Sequence, residues 1–227
     1  MQSVAIVEAS YESLPIFPLP NFTMFPHTMT RLHVFEPRYR MMVAEALATD
    51  RLLVLVGLRT GWEKDYYGSP PVHEVGSLCK IVNHERLEDG RYTLFIHCVA
   101  RVRLMTIHQL TPFRTAAVDV LDDEVVAGPE LDETISRLIG CVRGLILHLG
   151  ARGVELGKVI TSTQKPEILT NRLATSLAAD PADRQSLLET VDVRERAERL
   201  CDHAGDLLLR SAGLDGEFDS VETSQLN

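Results

Sequence analysis

The segment Gly153-Val-Glu-Leu-Gly157-Lys158-Val159 comes nearest to a phosphate-binding loop in this 227-residue chain. Such a loop needs glycine amides that cradle phosphate, then Lys and a hydroxyl residue for magnesium. The spacing here is one residue short and Val159 has no oxygen to offer, so a plain helix–helix loop is the better reading. His73-Glu74 and His84-Glu85 invite a zinc-protease reading. That motif needs a second His three residues after the Glu, so that both imidazoles reach one metal from one helix face. Ser77 and Glu88 stand there instead, and both segments read as strand. His97, Cys98 and Cys79 fall on neighbouring strands, but side chains alternate faces along a strand, so His97 and Cys98 point opposite ways. There is no Gly-x-Ser-x-Gly elbow for an activated serine. No pair of carboxylates is set apart on an apolar background for acid–base work. No cofactor or metal site is therefore assigned.

One segment is unusual in another way. Trp62, Tyr66 and Tyr67 lie close together in a stretch that also holds Gly61, Gly68, Pro70 and Pro71. Aromatic residues on loops anchor partners because they bury much area for little entropy lost. They also pin loops onto their own domain, since large aromatics are mostly buried. Both readings stand at this level.

The elements that must position these residues fall into two halves. Up to about residue 120 the pattern is mainly strand. Leu14–Leu19 is a short strand broken by Pro15 and Pro18, expected at an edge or as an opening segment because proline cannot donate to a ladder. Arg31–Phe35 is a second strand. Pro37 suits a first helical turn, and the helix runs to about Ala48 with Tyr39, Met42, Val43, Ala46 and Leu47 on one face. Leu52–Leu58 is an unbroken apolar run, which predicts a strand buried on both sides. Val75–Asn83 and Tyr92–Cys98 flank Glu88-Asp89-Gly90, a hairpin signal, with Val99–Ile107 continuing the second strand and Phe113–Leu121 closing the set. Six or seven strands, one helix and no βαβ rhythm imply a small closed or half-closed barrel.

After the acidic turn at 122–128 the period changes. Leu131, Ile135, Leu138, Ile139, Val142, Leu145, Ile146 and Leu149 mark a long amphipathic helix, followed by a glycine-rich loop over 150–157. Pro166 opens a further helix with Ile168, Leu169, Leu173 and Leu177 inward. Asp180-Pro181 is a cap-plus-first-turn pair, and Asp192 with Glu195 makes a capping box for the last helix. The fold class is α+β, a β-barrel followed by an α-helical bundle. The expected domains are 13–123 for the barrel, 129–213 for the bundle and 214–227 for a disordered acidic tail.

Hydrophobic residues make up 45% and charged residues 24% of the chain, which supports an ordinary globular core. The net charge of −9 argues against nucleic acid as a partner. Residues 1–13 lack the basic and apolar regions of a signal peptide, and the longest apolar run is far too short for a membrane span. Four widely spaced cysteines read as reduced, buried thiols in a cytoplasmic protein, although a Cys79–Cys98 bridge stays open.

Ordered motif blocks then carry a family resemblance. Leu14-Pro15-Ile16-Phe17-Pro18-Leu19-Pro20-Asn21 with Met24-Phe25-Pro26 resembles the opening signature of the Lon amino-terminal, or LON substrate-binding, domain. Leu32-His33-Val34-Phe35-Glu36-Pro37-Arg38-Tyr39 is similar to its continuation, and Val75-Gly76-Ser77-Leu78-Cys79-Lys80-Ile81 to a later strand. Asp183-Arg184-Gln185-Ser186-Leu187-Leu188-Glu189-Thr190, with Val193, Glu195, Arg196 and Leu200, resembles its helical block. The resemblance spans roughly residues 13 to 210. It implies a PUA-like pseudo-barrel plus a helical bundle, and a role in selecting unfolded or damaged polypeptides. The chain has neither the ATPase nor the Ser–Lys protease of full-length Lon, so a freestanding, non-enzymatic module is expected.

Three functional expectations follow. The first is a polypeptide-binding adaptor, working with a protease or chaperone, with Trp62, Tyr66 and Tyr67 at its groove and Phe25 as the floor. The second is RNA binding, because PUA-like barrels bind RNA elsewhere, through Arg86, Arg91, Arg101, Arg103 and Arg114 if they cluster. The third is an enzyme whose site forms only in the folded chain.

Overall fold

The structure, a computed structural model, describes residues 8–66, 68–108, 112–149, 153–162 and 165–211. The expected tail at 214–227 lies outside the described residues. The chain forms two compact units that interleave along the sequence: residues 1–123 with 180–191, and residues 124–179 with 192–227.

The first unit contains β1 (Ser10–Leu19), β2 (Met29–Val34), α1 (Pro37–Ala48), β3 (Leu52–Gly57), a short 3-10 turn (Trp62–Asp65), β4 (Val75–Arg86), β5 (Tyr92–His108) and β6 (Thr115–Leu121). The strand order is β2-β5-β4-β3-β1-β6, and β5 pairs again with β6. One strand therefore closes the ring. The first half of β5 lies between β2 and β4, and its second half lies between β4 and β6. This is the expected pseudo-barrel.

β3 shows why its sequence is apolar without a break. Leu53 and Leu55 face the core beneath α1, with Tyr39, Met42, Val43 and Ile96. Val54 and Val56 face the other way into the barrel, with Ile16, Leu78, Val102 and Val118. Alternate side chains feed separate cores. The inward residues of α1 are Tyr39, Met42, Val43 and Ala46, with Leu47 half-buried against the same core.

β1 departs from expectation. It is an interior strand, parallel to β3 and antiparallel to β6. Its prolines are tolerated because of where each ladder stops. Ile16 N–H donates to Arg114 O at 3.0 Å on the β6 side, so Pro15 directs its nitrogen toward β3 and Pro18 toward β6. The β3 pairing begins only at Ile16, and the β6 pairing ends at Pro15. Each missing donor falls just past the end of the ladder it would have served.

The first unit also contains α5 (Pro181–Glu189), which buries Gln185, Leu187 and Leu188. The division into strands first and helices after is thus interrupted by one helix that returns to the β unit. Three side chains fasten it. Arg184 Nη2 donates to Thr23 O at 3.0 Å, Gln185 Nε2 to Val75 O at 3.0 Å, and Arg101 Nε to Leu188 O at 2.8 Å. Arg101 is 1% exposed and its Nη1 lies 2.6 Å from Asp123 Oδ1. A buried guanidinium needs such a partner.

The second unit contains α2 (Pro129–Leu149), α3 (Gly153–Ser162), α4 (Pro166–Leu177) and α6 (Val193–Ser211). Leu131, Leu138, Val142 and Leu145 of α2 are buried, as are Leu169, Leu173 and Leu177 of α4 and Val193, Ala197 and Leu200 of α6. Both proposed caps form: Asp180 Oδ1 accepts from Ala182 N and Asp183 N, and Asp192 Oδ1 from Arg194 N and Glu195 N. The region expected as a loop up to residue 157 is helical from Gly153. A Cβ at Gly153 would sit 2.9 Å from Ile146 O and 3.0 Å from Ile146 Cα. The glycine there permits a close approach to α2, a use that composition does not separate from loop chemistry.

Candidate functional site

At one end of the first unit a cleft of about 360 Å³ opens between the β1–β2 connection, the end of β3, the Trp62 turn and the start of α5. Phe22 and Trp62 supply its apolar walls, Gly57 and His73 its floor, and Ala182 and Gln185 its α5 side. Gly61, at φ 90°, turns the backbone into the short helix that carries Trp62. A Cβ at Gly57 would lie 3.2 Å from His73 Cδ2, 3.5 Å from Phe22 O and 3.6 Å from Gln185 Oε1. The three groups converge on a position where the chain has no side chain.

Several polar groups of the cleft have internal partners. His73 N–H donates to Gly57 O at 2.9 Å. Gln185 Nε2 donates to Val75 O and, at 2.7 Å, to Glu189 Oε1. Burial lowers the His73 pKa below its ordinary value; Glu189 opposes this and Arg59 adds to it. The Glu189 carboxylate, 3.9 Å from Nδ1, does not offset the burial. Burial thus favours the neutral imidazole. Asp180 is committed to capping α5.

Trp62 and Tyr66 separate the two readings of the aromatic segment. Their rings meet edge-on with centroids 5.4 Å apart, and both pack at the margin of the barrel core. Tyr66 Oη donates to Glu36 Oε1 at 2.6 Å, and Arg38 bonds Glu36 Oε2 at 3.0 Å while lying over the Tyr66 ring at 5.4 Å. Burial and the Glu36 bond push the Tyr66 phenol up to about 12. Tyr66 is a pin, whereas Trp62 borders open space. Tyr67 lies outside the described residues. Phe25 is fully buried and cannot serve as the floor of a groove. Phe22 takes the lining position instead. Asn21, at φ 51°, turns the chain just before it, and spacing alone does not reveal that reversal.

The other sequence candidates disperse. Gly153–Lys158 lies in α3, where Lys158 pairs with Glu155 at 2.6 Å. His84 and Glu85 are exposed on β4. Cys79 and Cys98 are register partners, both buried with free thiols, and Cys79 is pushed well up by burial and by Cys98. Among the described residues no group of three or more His, Cys, Asp and Glu side chains is placed to hold a metal. The five arginines do not make one patch: Arg101 is buried against Asp123, Arg114 Nη1 donates to Pro70 O at 2.9 Å, and Arg91 pairs with Asp89 at 2.7 Å. Among the described residues no helix is long and apolar enough to cross a membrane.

A closed pseudo-barrel with an aromatic cleft, accompanied by a helical unit, defines the class of module. The model of the ATP-dependent protease La (LON) substrate-binding domain matches residues 13–204, and the chain belongs to that family. It is 23% identical over 189 residues to Lon protease of Desulfosudis oleivorans, covering 83% of this chain and 23% of that one. It is 29% identical over 190 residues to Lon protease 1 of Thermus thermophilus, covering 82% and 24%. The chain thus spans about a quarter of the length of these curated relatives. Two solved structures share the fold: the N-terminal domain of Mycobacterium avium complex Lon protease (TM-score 0.65, 19% identity, 86% of this chain and 99% of that one) and a Lon N-terminal domain protein from Xanthomonas campestris (TM-score 0.60, 22%, 85% and 98%).

Proposed function

We propose that this chain is a non-enzymatic polypeptide-binding module of the cytoplasm. It takes apolar side chains of unfolded or partly folded proteins into the Trp62 cleft and works beside a protease or chaperone. The observation that carries the reading is a cleft of about 360 Å³ lined by both Trp62 and Phe22. Such a cleft offers aromatic contact surface, which suits apolar side chains exposed by unfolding. Membership in the substrate-binding family supports the ligand class. Tyr67 stays with the site as its neighbour in sequence.

Trp62 is the sole tryptophan, so its emission reports on the cleft directly. Titration with a reduced, carboxymethylated protein shifts that emission, and Trp62→Ala weakens binding by about tenfold or more, the effect of losing a central aromatic anchor. Unchanged emission together with undiminished binding by Trp62→Ala would refute the assignment.

A further inference from the structure

Among the described residues β2 pairs with β5 alone, so one edge of β2 is free. The register locates its unpaired groups. Cys98 N–H donates to Thr28 O at 3.0 Å, and the β2–β5 ladder runs without a bulge from Met29↔His97 to Val34↔Tyr92. In an antiparallel ladder alternate residues bond to the same neighbour. Thr30, Leu32 and Val34 therefore direct their N–H and C=O toward β5, while Met29, Arg31 and His33 direct theirs away from it. These three residues also have exposed side chains. Met29 is 63% exposed, and Phe35, the first residue past the strand, is 64% exposed. Read along alternate positions, the edge is Met29, Arg31, His33 and Phe35, with His33 Nδ1 3.2 Å from Thr93 Oγ1. Arg31 lies over the ring of Phe95, the residue opposite it on β5, at 5.6 Å, and Lys80 lies across from His97 on the next strand.

We propose that the free edge of β2 is a main-chain docking site for an extended polypeptide segment in which two alternate acidic residues are flanked by apolar ones. The segment adds as a further strand, exchanging backbone hydrogen bonds with Met29, Arg31 and His33. Its acids face Arg31 and His33, and its apolar residues face Met29 and Phe35. The charge selects this occupant over a second copy of the chain. Two β2 edges paired antiparallel about Arg31 would set Arg31 against Arg31, and such charges on an edge strand oppose self-association. This inference rests on the polypeptide-binding reading and adds a second mode of capture, by backbone rather than by side chain.

The test uses the full chain and the peptide acetyl-Thr-Val-Thr-Glu-Thr-Glu-Thr-Val-Thr-amide. Two N-methylated forms are compared with it, one blocked at the Val and Glu amides and the other at the Thr amides. The unmodified peptide slows hydrogen exchange at the Met29, Arg31 and His33 amides. One methylated form loses binding and the other keeps it, because only alternate amides of an added strand face its neighbour. Arg31→Glu weakens the unmodified peptide by about tenfold. Equal behaviour of both methylated forms, or unchanged exchange at the three amides, overturns the edge site. If Trp62 emission still answers the carboxymethylated protein in that case, the polypeptide-binding reading stands without the edge. If neither responds, both readings fall.

Discussion

The Trp62 cleft and the β2 edge lie in the same unit but would recognise a chain by opposite means. The cleft offers the aromatic side chains of Trp62 and Phe22. The edge offers backbone amides and carbonyls with a charge pattern beside them. On the proposed reading the cleft would select by apolar bulk, and the edge by extension and charge. Apolar transfer is weakly sensitive to salt, whereas exposed charge is screened over about 10 Å at 0.1 M. On that reading one small barrel would sample two properties that distinguish an unfolded chain from a folded one: exposed core residues and an unpaired backbone.

That contrast can be broken most strongly through α5, which supplies one wall of the cleft and none of the edge. Arg101→Ala removes the 2.6 Å ion pair to Asp123 and the donor to Leu188 O. A loss of about 3–5 kcal/mol in unfolding free energy is expected, read by denaturant titration, as for other broken buried ion pairs. A loss under about 1 kcal/mol, the range of a surface pair, would show that α5 is held mainly by its apolar face.

Gly57→Ala sharpens the comparison with less damage. The new methyl meets His73 Cδ2 at 3.2 Å and fills the floor. Binding reported by Trp62 emission should weaken several-fold while peptide protection at the β2 amides stays as in the wild type. Equal loss at both would mean that they form one continuous surface.

Tyr66→Phe separates the pin from the anchor. It deletes the bond to Glu36 and should cost about 1 kcal/mol of stability, with Trp62-reported binding nearly unchanged. A phenol whose pKa rises from 10.0 to about 12 on folding favours the native state below pH 10 and loses that contribution as pH rises toward 12. The difference in phenolate absorbance between wild type and variant should therefore show a transition near that value. A transition at 10 would place Tyr66 in free solvent.

The smallest effect is at His73. Its pKa is lowered in the folded state, so below its ordinary value of 6.5 the unfolded chain binds the extra proton more readily. Stability then falls as pH drops through that region and is restored above it. Thermal melts of His73→Gln between pH 5 and 8 should have a shallower slope than the wild type; an identical slope would assign the acid sensitivity to other groups.

Local features were legible in the sequence wherever one segment contained its own reason. The unbroken run of β3 announced two buried faces. Pro37 and the spacing of Tyr39, Met42 and Val43 set the start and inner face of α1, and Asp180 and Asp192 announced caps that the structure forms. The motif blocks alone carry the resemblance to the family whose model matches residues 13–204. At the site the reading was partial. Trp62, singled out in the sequence, lines a cleft, whereas Phe25 is buried and Phe22, next to the left-handed Asn21, lines the cleft in its place.

What the sequence determined by itself is periodicity, capping and family, all properties of neighbours along the chain. Only the tertiary structure decided which core α5 joins, why Pro15 and Pro18 sit harmlessly inside a sheet, that Tyr66 is fastened to Glu36 and that β2 keeps an open edge. Each of these depends on a partner tens of residues away. Amphipathic spacing states that a face must be buried and leaves unstated what will bury it, and a strand's pattern states which side chains point inward and leaves unstated which of its edges will be paired. The difference between the aromatic that pins and the aromatic that waits at the cleft belongs to that second kind of information.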